Sequence, residues 1–308
     1  MGKTAFLFPG QGSQAVGMGQ ALAREFPEAR AVFAAADDAL GMSLSRLCFE
    51  GPESELVLTR NTQPAILTVS AAAHAVYVAR APQADFVAGH SLGEYSALVA
   101  ARSLSLPDAV RAVRERGTLM QEAVPAGTGA MAAVLGLEPE AVARVCAEAA
   151  GGEVVSAANF NSPEQTVIAG STAAVERASA KLKDSGAKRV VPLPVSAPFH
   201  CALMEPVKAR LAEVLARCTI SAPAIPVVTN VEARPNTDAA RVVPLLLEQV
   251  SAPVRWLETI RFLHGAGVTR MVELGPGRVL SGLVKRIAKD VEVLNVEDPT
   301  SLGKALGG

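Results

Sequence analysis

The 308-residue sequence lacks the features that mark disulfide-rich, membrane-spanning and polyanion-binding proteins. Its four cysteines form no C-x-x-C pair, so neither a disulfide framework nor a zinc site is indicated. No apolar run reaches the ~18 residues of a membrane span. The formal net charge is only −1, which argues against a general polyanion partner. We expect a cytoplasmic location, because reduced cysteines suit that compartment and the N-terminus has no signal-peptide layout.

Half of the residues are hydrophobic and 19% are charged, a composition typical of a compact globular protein. Apolar strand-like runs alternate with helical patterns along most of the chain, which predicts an α/β fold with a mainly parallel sheet. The strand-like runs cover residues 4–8, 85–89, 226–230, 270–274 and 291–295. The helical patterns between them cover residues 62–80, 107–124, 202–218 and 253–264.

One stretch departs from this alternation. Between residues 127 and 196 the pattern changes to strand, helix, strand, strand, helix, strand, which is the order of a ferredoxin-like, split βαβ unit. Segments rich in turn formers, "PAGTG" and "PLPVSAP", bound it on both sides. We therefore predict a small ferredoxin-like subdomain of residues 127–196, inserted into a larger α/β body of residues 1–126 and 197–308.

A single serine stands between two glycines at the end of a strand-like run. Residues 89–93, "GHSLG", fit the G-x-S-x-G pattern, in which the serine occupies a sharp strand-to-helix turn. The run "DFVA" before it and the helical pattern "EYSALVAA" after it supply that context. The alternative is a helix N-cap serine, which is common. The context favours Ser91 as a nucleophile, with the next N–H group directed toward an oxyanion.

A serine nucleophile needs a base, and the sequence offers four histidines. His74 lies within an apolar helical pattern, and His264 lies at a predicted helix end. His90 directly precedes Ser91 at a strand end, so its side chain is expected on the opposite face. By elimination the candidate is His200, at the return from the inserted subdomain, where a cleft is expected. No Asp or Glu is evident as a third member, and a backbone carbonyl is the alternative way to orient the histidine.

One arginine faces an apolar side of its predicted helix. The residues three and four positions away from Arg116 include no carboxylate; they are Ala112, Val113, Leu119 and Met120. A half-buried guanidinium without a local partner requires an anion from elsewhere. Two interpretations remain open. Arg116 either pairs with a distant acid or extends its stem toward solvent, or it binds the carboxylate of a substrate.

The glycine-rich stretch "LFPGQGSQAVGMG" follows the first strand-like run. Its spacing does not match G-x-G-x-x-G, and it has no P-loop lysine, so binding of a dinucleotide or a nucleoside triphosphate is poorly supported. Such a turn can still offer backbone N–H groups to an oxyanion.

Seven stretches distributed over nearly the whole chain form a specific combination. They are "FLFPGQGSQ" (6–14), "GHSLGEY" (89–95), "RERGTLMQEA" (114–123), "NFNSPEQTVIAG" (159–170), "SAPFHCALM" (196–204), "QVSAPVRW" (249–256) and "ELGPGRVLSGL" (273–283). In this order they closely resemble the malonyl-CoA:acyl carrier protein transacylases, the acyltransferases that load malonyl units in fatty-acid synthesis. The combination is far more specific than G-x-S-x-G alone.

The resemblance implies a catalytic role for each matching residue. Ser91 is the expected nucleophile, and His200 is its base. The backbone N–H groups of Gln11 and Leu92 are expected to form the oxyanion hole. The main-chain carbonyl of Gln249 is expected to orient the histidine, in place of an acidic residue.

The resemblance also implies the residues that contact the substrate. Arg116 is expected to hold the malonyl carboxylate. Phe199, directly before His200, resembles the malonyl-selecting form and is expected to exclude a branched α-carbon. Met120 and Asn161 are expected to lie near the bound acyl group.

The fold and partners that the resemblance implies are a hydrolase-like α/β body with a ferredoxin-like subdomain, acting as a monomer. No bound cofactor or metal is expected, because a CoA thioester and a phosphopantetheine-carrying acyl carrier protein enter as substrates. Neither nucleic acid nor membrane is an expected partner. Three alternatives remain: a serine thioesterase or esterase, a discrete acyltransferase of a polyketide synthase, and a non-catalytic scaffold that docks a carrier protein.

Overall fold

The described part of the chain forms two β-sheets, each with helices packed against it. The computed structural model describes residues 2–125, 127–195 and 197–307. The first part contains β1 (Lys3–Phe8), α1 (Gln20–Glu25), α2 (Pro27–Leu40), α3 (Leu44–Glu50), α4 (Glu53–Leu56), α5 (Thr59–Val78), β2 (Phe86–Gly89), α6 (Gly93–Ala100) and α7 (Leu106–Glu122). The middle part contains β3 (Gly129–Leu135), α8 (Pro139–Ala149), β4 (Val155–Ser162), β5 (Gln165–Ser171), α9 (Thr172–Asp184) and β6 (Arg189–Pro192). The last part contains a 3₁₀ turn (Ala202–Met204), α10 (Val207–Leu215), β7 (Val227–Val228), β8 (Pro235–Asn236), α11 (Ala239–Gln249), α12 (Trp256–Gly265), β9 (Val268–Leu274), α13 (Val279–Ile287), β10 (Glu292–Val296) and α14 (Pro299–Ala305).

The larger sheet has six strands in the order β10-β9-β1-β2-β7-β8. All neighbouring pairs are parallel except β7 with β8, which are antiparallel. The predicted α/β fold with a mainly parallel sheet is therefore confirmed. In this sheet β1 is buried on both faces, since Phe6 and Phe8 belong to one hydrophobic core while Ala5 and Leu7 belong to another. This two-sided burial is why the strand appears in the sequence as a continuous apolar run.

The smaller sheet has four strands in the order β4-β5-β3-β6, and all its neighbouring pairs are antiparallel. Two helices, α8 and α9, pack on it and on each other around a separate core. The sheet is joined to the rest of the chain near Val254, whose N–H donates to Ala158 O and whose carbonyl accepts from Phe160 N, both at 2.9 Å. The subdomain boundaries predicted at residues 126 and 196 lie outside the described residues.

Two predicted elements are shorter in the structure. The helix predicted over 202–218 is wrong at its start, because Pro206 forms the N-cap of α10 and only a 3₁₀ turn precedes it. Proline has no N–H group for a helical hydrogen bond. The strand predicted over 226–230 is reduced to β7, because Thr229 N donates to Arg234 O in the turn toward β8. No helix within the described ranges is long and apolar enough to span a bilayer.

The carboxyl ends of the parallel strands meet at one edge of the large sheet. There β1 leads into the turn at Gly10, β2 leads into Ser91, and β7 leads into Asn230. A Cβ atom placed on Gly10 would lie 2.5 Å from His90 O, so the turns after β1 and β2 are in close contact. This edge brings together chain segments that are more than one hundred residues apart in sequence.

Candidate active site

Ser91 occupies a tight corner between β2 and α6, with its φ at 51°. The two flanking glycines are required by close backbone approaches. A Cβ atom on Gly89 would lie 1.9 Å from the carbonyl carbon of Gly93, and one on Gly93 would lie 2.1 Å from Phe8 O. A side chain at either position would force the backbone apart, so the sequence pattern G-x-S-x-G follows directly from the shape of the turn.

His200 is the histidine that the structure brings to this serine. The distance between Ser91 Oγ and His200 Nε2 is 2.7 Å, and His200 Nδ1 lies 2.9 Å from the main-chain oxygen of Gln249. Since a carbonyl oxygen only accepts, Nδ1 must carry the proton, and Nε2 is left to accept from the serine hydroxyl. The orienting group is thus the main chain at the end of α11, not a carboxylate.

Burial keeps this histidine neutral. Only 3% of His200 is exposed, and desolvation, together with the positive charge of Arg116, lowers its pKa to about 3. A neutral imidazole is the form that can take a proton from a hydroxyl group. His200 is therefore available as a base throughout the physiological pH range.

The other three histidines have different surroundings. His74 packs in α5 against the rings of Phe6 and Phe8, and burial lowers its pKa to about 4. His264 lies in the last turn of α12, 3.1 Å from an Asp290 carboxylate oxygen. His90 Nε2 bonds to Asn161 Oδ1 at 2.8 Å, and its ring packs against Trp256. No hydrogen bond within the described residues joins any of them to the Ser91 hydroxyl.

Arg116 is buried in α7 with 1% of its surface exposed. Its Nη2 lies 2.9 Å from Gln249 Oε1 and 3.3 Å from Ser91 Oγ, and its Nη1 donates to Gln63 Oε1 at 2.8 Å. Its Nε has no hydrogen-bond partner among the described residues, and no ion pair found there includes it. The structure does not support the first interpretation of Arg116. No acid among the described residues lies within ion-pair distance of it, and its head group is not exposed to solvent. Glu94 is linked to this guanidinium only through the side chain of Gln249.

The two expected oxyanion donors lie on adjacent segments. Leu92 directly follows Ser91 and caps α6, and Gln11 lies in the turn after β1 that touches His90. Within the described ranges, neither backbone N–H donates a hydrogen bond. The Gln11 side chain is held separately, with Nε2 3.3 Å from Thr59 Oγ1. Both N–H groups are thus free to donate hydrogen bonds to an oxyanion that develops at the serine.

The remaining predicted residues lie around this cluster. Phe199 directly precedes His200 and is 8% exposed. Met120 is buried in α7, with its Sδ 3.9 Å from the Nε2 of Gln63, the residue that holds Arg116. Asn161, on β4, reaches the serine turn through His90 and not through Ser91 itself. Asn161 is therefore linked to Ser91 only through its hydrogen bond to His90, the residue that precedes the serine.

The sequence did not assign three further buried residues of this cluster. Gln63 binds Arg116, Asn230 Oδ1 accepts from Ser91 N at 2.7 Å, and Glu94 accepts from Asn230 N and Gln249 Nε2. The one available signal was Glu94, a carboxylate within the otherwise apolar segment that follows the serine. Among the described residues, no group of three or more His, Cys, Asp or Glu side chains could hold a metal ion.

Comparisons with known proteins identify the family to which the chain belongs. The family model of the acyl transferase domain matches residues 5–305. The malonyl CoA-acyl carrier protein transacylase of Salmonella typhimurium is 49% identical over 307 residues, which cover 99% of each chain. A crystal structure of an acyl carrier protein S-malonyltransferase from Vibrio cholerae has a TM-score of 0.96 and 50% identity, covering 98% of this chain and 99% of that one.

A malonyl-transacylase solved in complex with its type II PKS acyl-carrier protein is 48% identical, with a TM-score of 0.96 and 99% of each chain covered. These similarities extend over 98–99% of the chain. The chain therefore belongs to the acyl transferase family and, within it, to the malonyl CoA-acyl carrier protein transacylases.

Proposed function

We propose that this enzyme transfers the malonyl group from malonyl-CoA to the phosphopantetheine thiol of an acyl carrier protein, through a malonyl-serine intermediate, in fatty-acid biosynthesis. The observation that carries the proposal is the position of Ser91 Oγ, 2.7 Å from His200 Nε2 and 3.3 Å from Arg116 Nη2. A nucleophile and base stand beside a buried cation, and malonyl-CoA has both a thioester carbonyl and a carboxylate. The names of the relatives, at about half identity over the whole chain, support the same reaction.

In the first half-reaction His200 Nε2 takes the proton of the Ser91 hydroxyl while Oγ attacks the thioester carbon. The C–Oγ bond forms, and the carbonyl oxygen becomes an oxyanion that accepts from the N–H groups of Gln11 and Leu92. The C–S bond then breaks. The CoA thiolate leaves with the proton that His200 returns, and a malonyl ester remains on Ser91.

In the second half-reaction the phosphopantetheine thiol of the carrier gives its proton to His200 and attacks the ester carbon. A new C–S bond forms, the C–Oγ bond breaks, and Ser91 regains its proton. Because CoA leaves before the carrier reacts, the kinetics are ping-pong. No bound cofactor or metal is part of the proposal, since acyl transfer between thiols requires only a nucleophile, a base and oxyanion donors.

Selectivity for the malonyl group comes from Arg116 in this proposal. Its free donors can bind the terminal carboxylate, whereas an acetyl group would leave the buried cation without that partner. Phe199 limits the space at the α-carbon, and Met120 and Asn161 line the same region. Gln249 orients His200 with its main-chain oxygen, which supports a serine–histidine pair that works without an acidic third member.

We further propose that the four-stranded sheet with its two helices is a ferredoxin-like subdomain of residues 127–196, inserted into a hydrolase-like body of residues 1–126 and 197–308. Its strand-helix-strand-strand-helix-strand sequence and its antiparallel order support this assignment. The enzyme is proposed to act as a cytoplasmic monomer on two soluble partners, malonyl-CoA and the carrier protein.

One alternative retains a specific observation in its favour. The relative solved with its type II PKS acyl-carrier protein is 48% identical to this chain, so a polyketide synthase carrier is a possible acceptor in place of a fatty-acid carrier. The chemistry at Ser91 is the same for both, and relative rates with the two carriers distinguish them. A serine thioesterase, by contrast, does not require a buried arginine such as Arg116.

The test is an intact-mass measurement with the purified enzyme. Addition of malonyl-CoA should produce a malonyl adduct on Ser91, and addition of a phosphopantetheinylated carrier should move the adduct to the carrier. The Ser91→Ala variant is the control and should form no adduct. Loss of the adduct to water, with both types of carrier unmodified, would indicate a thioesterase, and absence of any adduct would refute the covalent mechanism.

A further inference from the structure

Glu94 is a buried carboxylate that takes no part in the proposed transfer steps. It lies in the first turn of α6, and only 2% of it is exposed. Burial raises its pKa to about 7, although hydrogen bonds from Gln249 and Asn230 and the charge of Arg116 act in the opposite direction. A well-packed apolar side chain in place of a buried charged group is often equally stable. A stabilising role alone therefore does not explain this carboxylate.

One oxygen of Glu94 connects two segments behind the serine. Its Oε2 accepts from the backbone N–H of Asn230 at 3.0 Å and from the side-chain amide of Gln249 at 2.8 Å. Asn230 follows β7 and Gln249 ends α11, and both are fully buried. Glu94 thus sets the relative position of two residues that come from different parts of the chain.

The side chain of Asn230 makes two hydrogen bonds to the serine turn. Its Oδ1 accepts from Ser91 N at 2.7 Å, and its Nδ2 donates to Gly89 O at 2.6 Å. The positive φ of Ser91 is disfavoured for a residue other than glycine, because its Cβ approaches the backbone closely. The two hydrogen bonds oppose relaxation of that turn. The first of them occupies the N–H of Ser91, so the next N–H group, that of Leu92, is the one left free to donate to an oxyanion.

Gln249 is the second residue that Glu94 holds, and it contacts each reacting group. Its Nε2 also donates to Ser91 O at 3.0 Å, and its Oε1 accepts from Arg116 at 2.9 Å. Its main-chain oxygen accepts from His200 Nδ1. A shift of Gln249 relative to Asn230 would therefore change the distance between the serine hydroxyl and its base.

We propose that Glu94 and Asn230 are positioning residues, which hold Ser91 in its positive-φ turn and hold Gln249, and through it His200 and Arg116, at reacting distance from the serine hydroxyl. Neither residue takes part in the proposed transfer steps. The inference rests on the proposed function only in taking Ser91 as the reacting serine. A displacement of about 1 Å in such an arrangement costs on the order of a hundredfold in rate.

Three substitutions separate positioning from packing. Glu94→Met removes the acceptor at similar volume, whereas Glu94→Gln keeps one oxygen that can accept both N–H groups. Asn230→Asp keeps the acceptor for Ser91 N but directs a second oxygen at Gly89 O. The matched control is Glu273→Met, because Glu273 is also a fully buried carboxylate that accepts two N–H groups, from Leu280 and Ser281, in α13.

The main readout is the rate at which a fluorophosphonate labels Ser91, since this probe needs the serine and its base but carries no malonyl group. We expect Glu94→Met and Asn230→Asp to lower both this rate and kcat with malonyl-CoA by about tenfold to a hundredfold. The KM of Asn230→Asp should change less than about threefold, because substrate contacts remain. Glu94→Gln should be labelled at nearly the wild-type rate, and so should Glu273→Met, whether or not its melting temperature falls.

Wild-type labelling of folded Glu94→Met or Asn230→Asp would overturn the proposal, as would an equal loss in Glu273→Met at equal melting temperature. If Glu94→Met does not fold, the labelling rate of Asn230→Asp tests the proposal. If the wild-type enzyme reacts with the probe but forms no malonyl adduct, the proposed function is wrong, whereas the labelling rates still test the positioning of Ser91.

Discussion

Replacing Arg116 by methionine should remove the preference for malonyl-CoA over acetyl-CoA. Arg116 is 1% exposed and lies beside Ser91 Oγ without an ion-pair partner in the described parts of the chain. Methionine fills a similar volume without charge, so the change mainly removes the guanidinium. The two amide oxygens that it leaves without a donor, Gln63 Oε1 and Gln249 Oε1, belong to residues that stay in place.

The expected magnitude follows from the unused donors. A guanidinium has five N–H donors, and those of Arg116 reach three acceptors: Gln63, Gln249 and Ser91. Two donors are left without an acceptor, one of them the buried Nε–H, so at most two hydrogen bonds to a malonyl carboxylate are available. Two hydrogen bonds to a charged group contribute roughly 3–6 kcal/mol, which corresponds to a factor of about 10² to 10⁴ in kcat/KM. Acetyl-CoA cannot make these bonds, so its kcat/KM should change less than about tenfold.

The assay measures kcat/KM for both thioesters by transfer to the carrier, with the melting temperature as a test of folding. The matched control is Arg111→Met on the same helix. Arg111 is half exposed and paired with Asp108 at 2.7 Å, so its loss should leave the ratio of the two kcat/KM values unchanged. An unchanged malonyl-to-acetyl ratio in folded Arg116→Met would refute the reasoning, because the carboxylate would then be recognised elsewhere.

Three further predictions concern the serine, its base and the acyl pocket. Ser91→Ala should abolish the malonyl adduct with little change in melting temperature, because among the described residues its hydroxyl makes hydrogen bonds only with His200 and Arg116; an adduct that persists would contradict the assignment. Burial and Arg116 lower the His200 pKa to about 3, so the imidazole stays neutral as the pH falls through 6.5, and kcat/KM should not decline there. In Arg116→Met the His200 pKa should rise, so the decline of kcat/KM at low pH should begin at a higher pH. A decline near pH 6.5 in the wild-type enzyme would contradict the effect of burial and Arg116 on this pKa. Phe199→Ala should raise kcat/KM for methylmalonyl-CoA by at least about tenfold, and an unchanged value would exclude a role for this ring in selecting the α-carbon.

The parts that could be predicted from sequence depend on short-range pattern. The mainly parallel sheet was visible because buried parallel strands are continuous apolar runs that alternate with helical periodicity. The serine turn was visible because its flanking glycines are needed within five consecutive residues. The absence of a carboxylate near Arg116 was also visible, since neighbours on one helix are set by spacing.

The limits of the sequence reasoning appear where local rules compete. A continuous helix was expected over 202–218, but Pro206 interrupts it. The strand expected over 226–230 ends early, since the chain turns at Thr229 toward β8. Elimination among four histidines selected His200, but the residue that orients it was expected only from the family resemblance, because a main-chain carbonyl has no sequence signature.

The sequence by itself thus determined the fold class, the glycine-flanked turn at Ser91 and the presence of a buried arginine without a local partner. Only the tertiary structure brought the arginine to the serine and joined Glu94, Asn230 and Gln249 behind it. The hydrogen bonds that join these three residues to one another and to Ser91 connect residues 136 to 158 positions apart. Such pairs form because parallel strands end at one edge of a sheet, and strand order is a property of the packed chain that no local pattern contains.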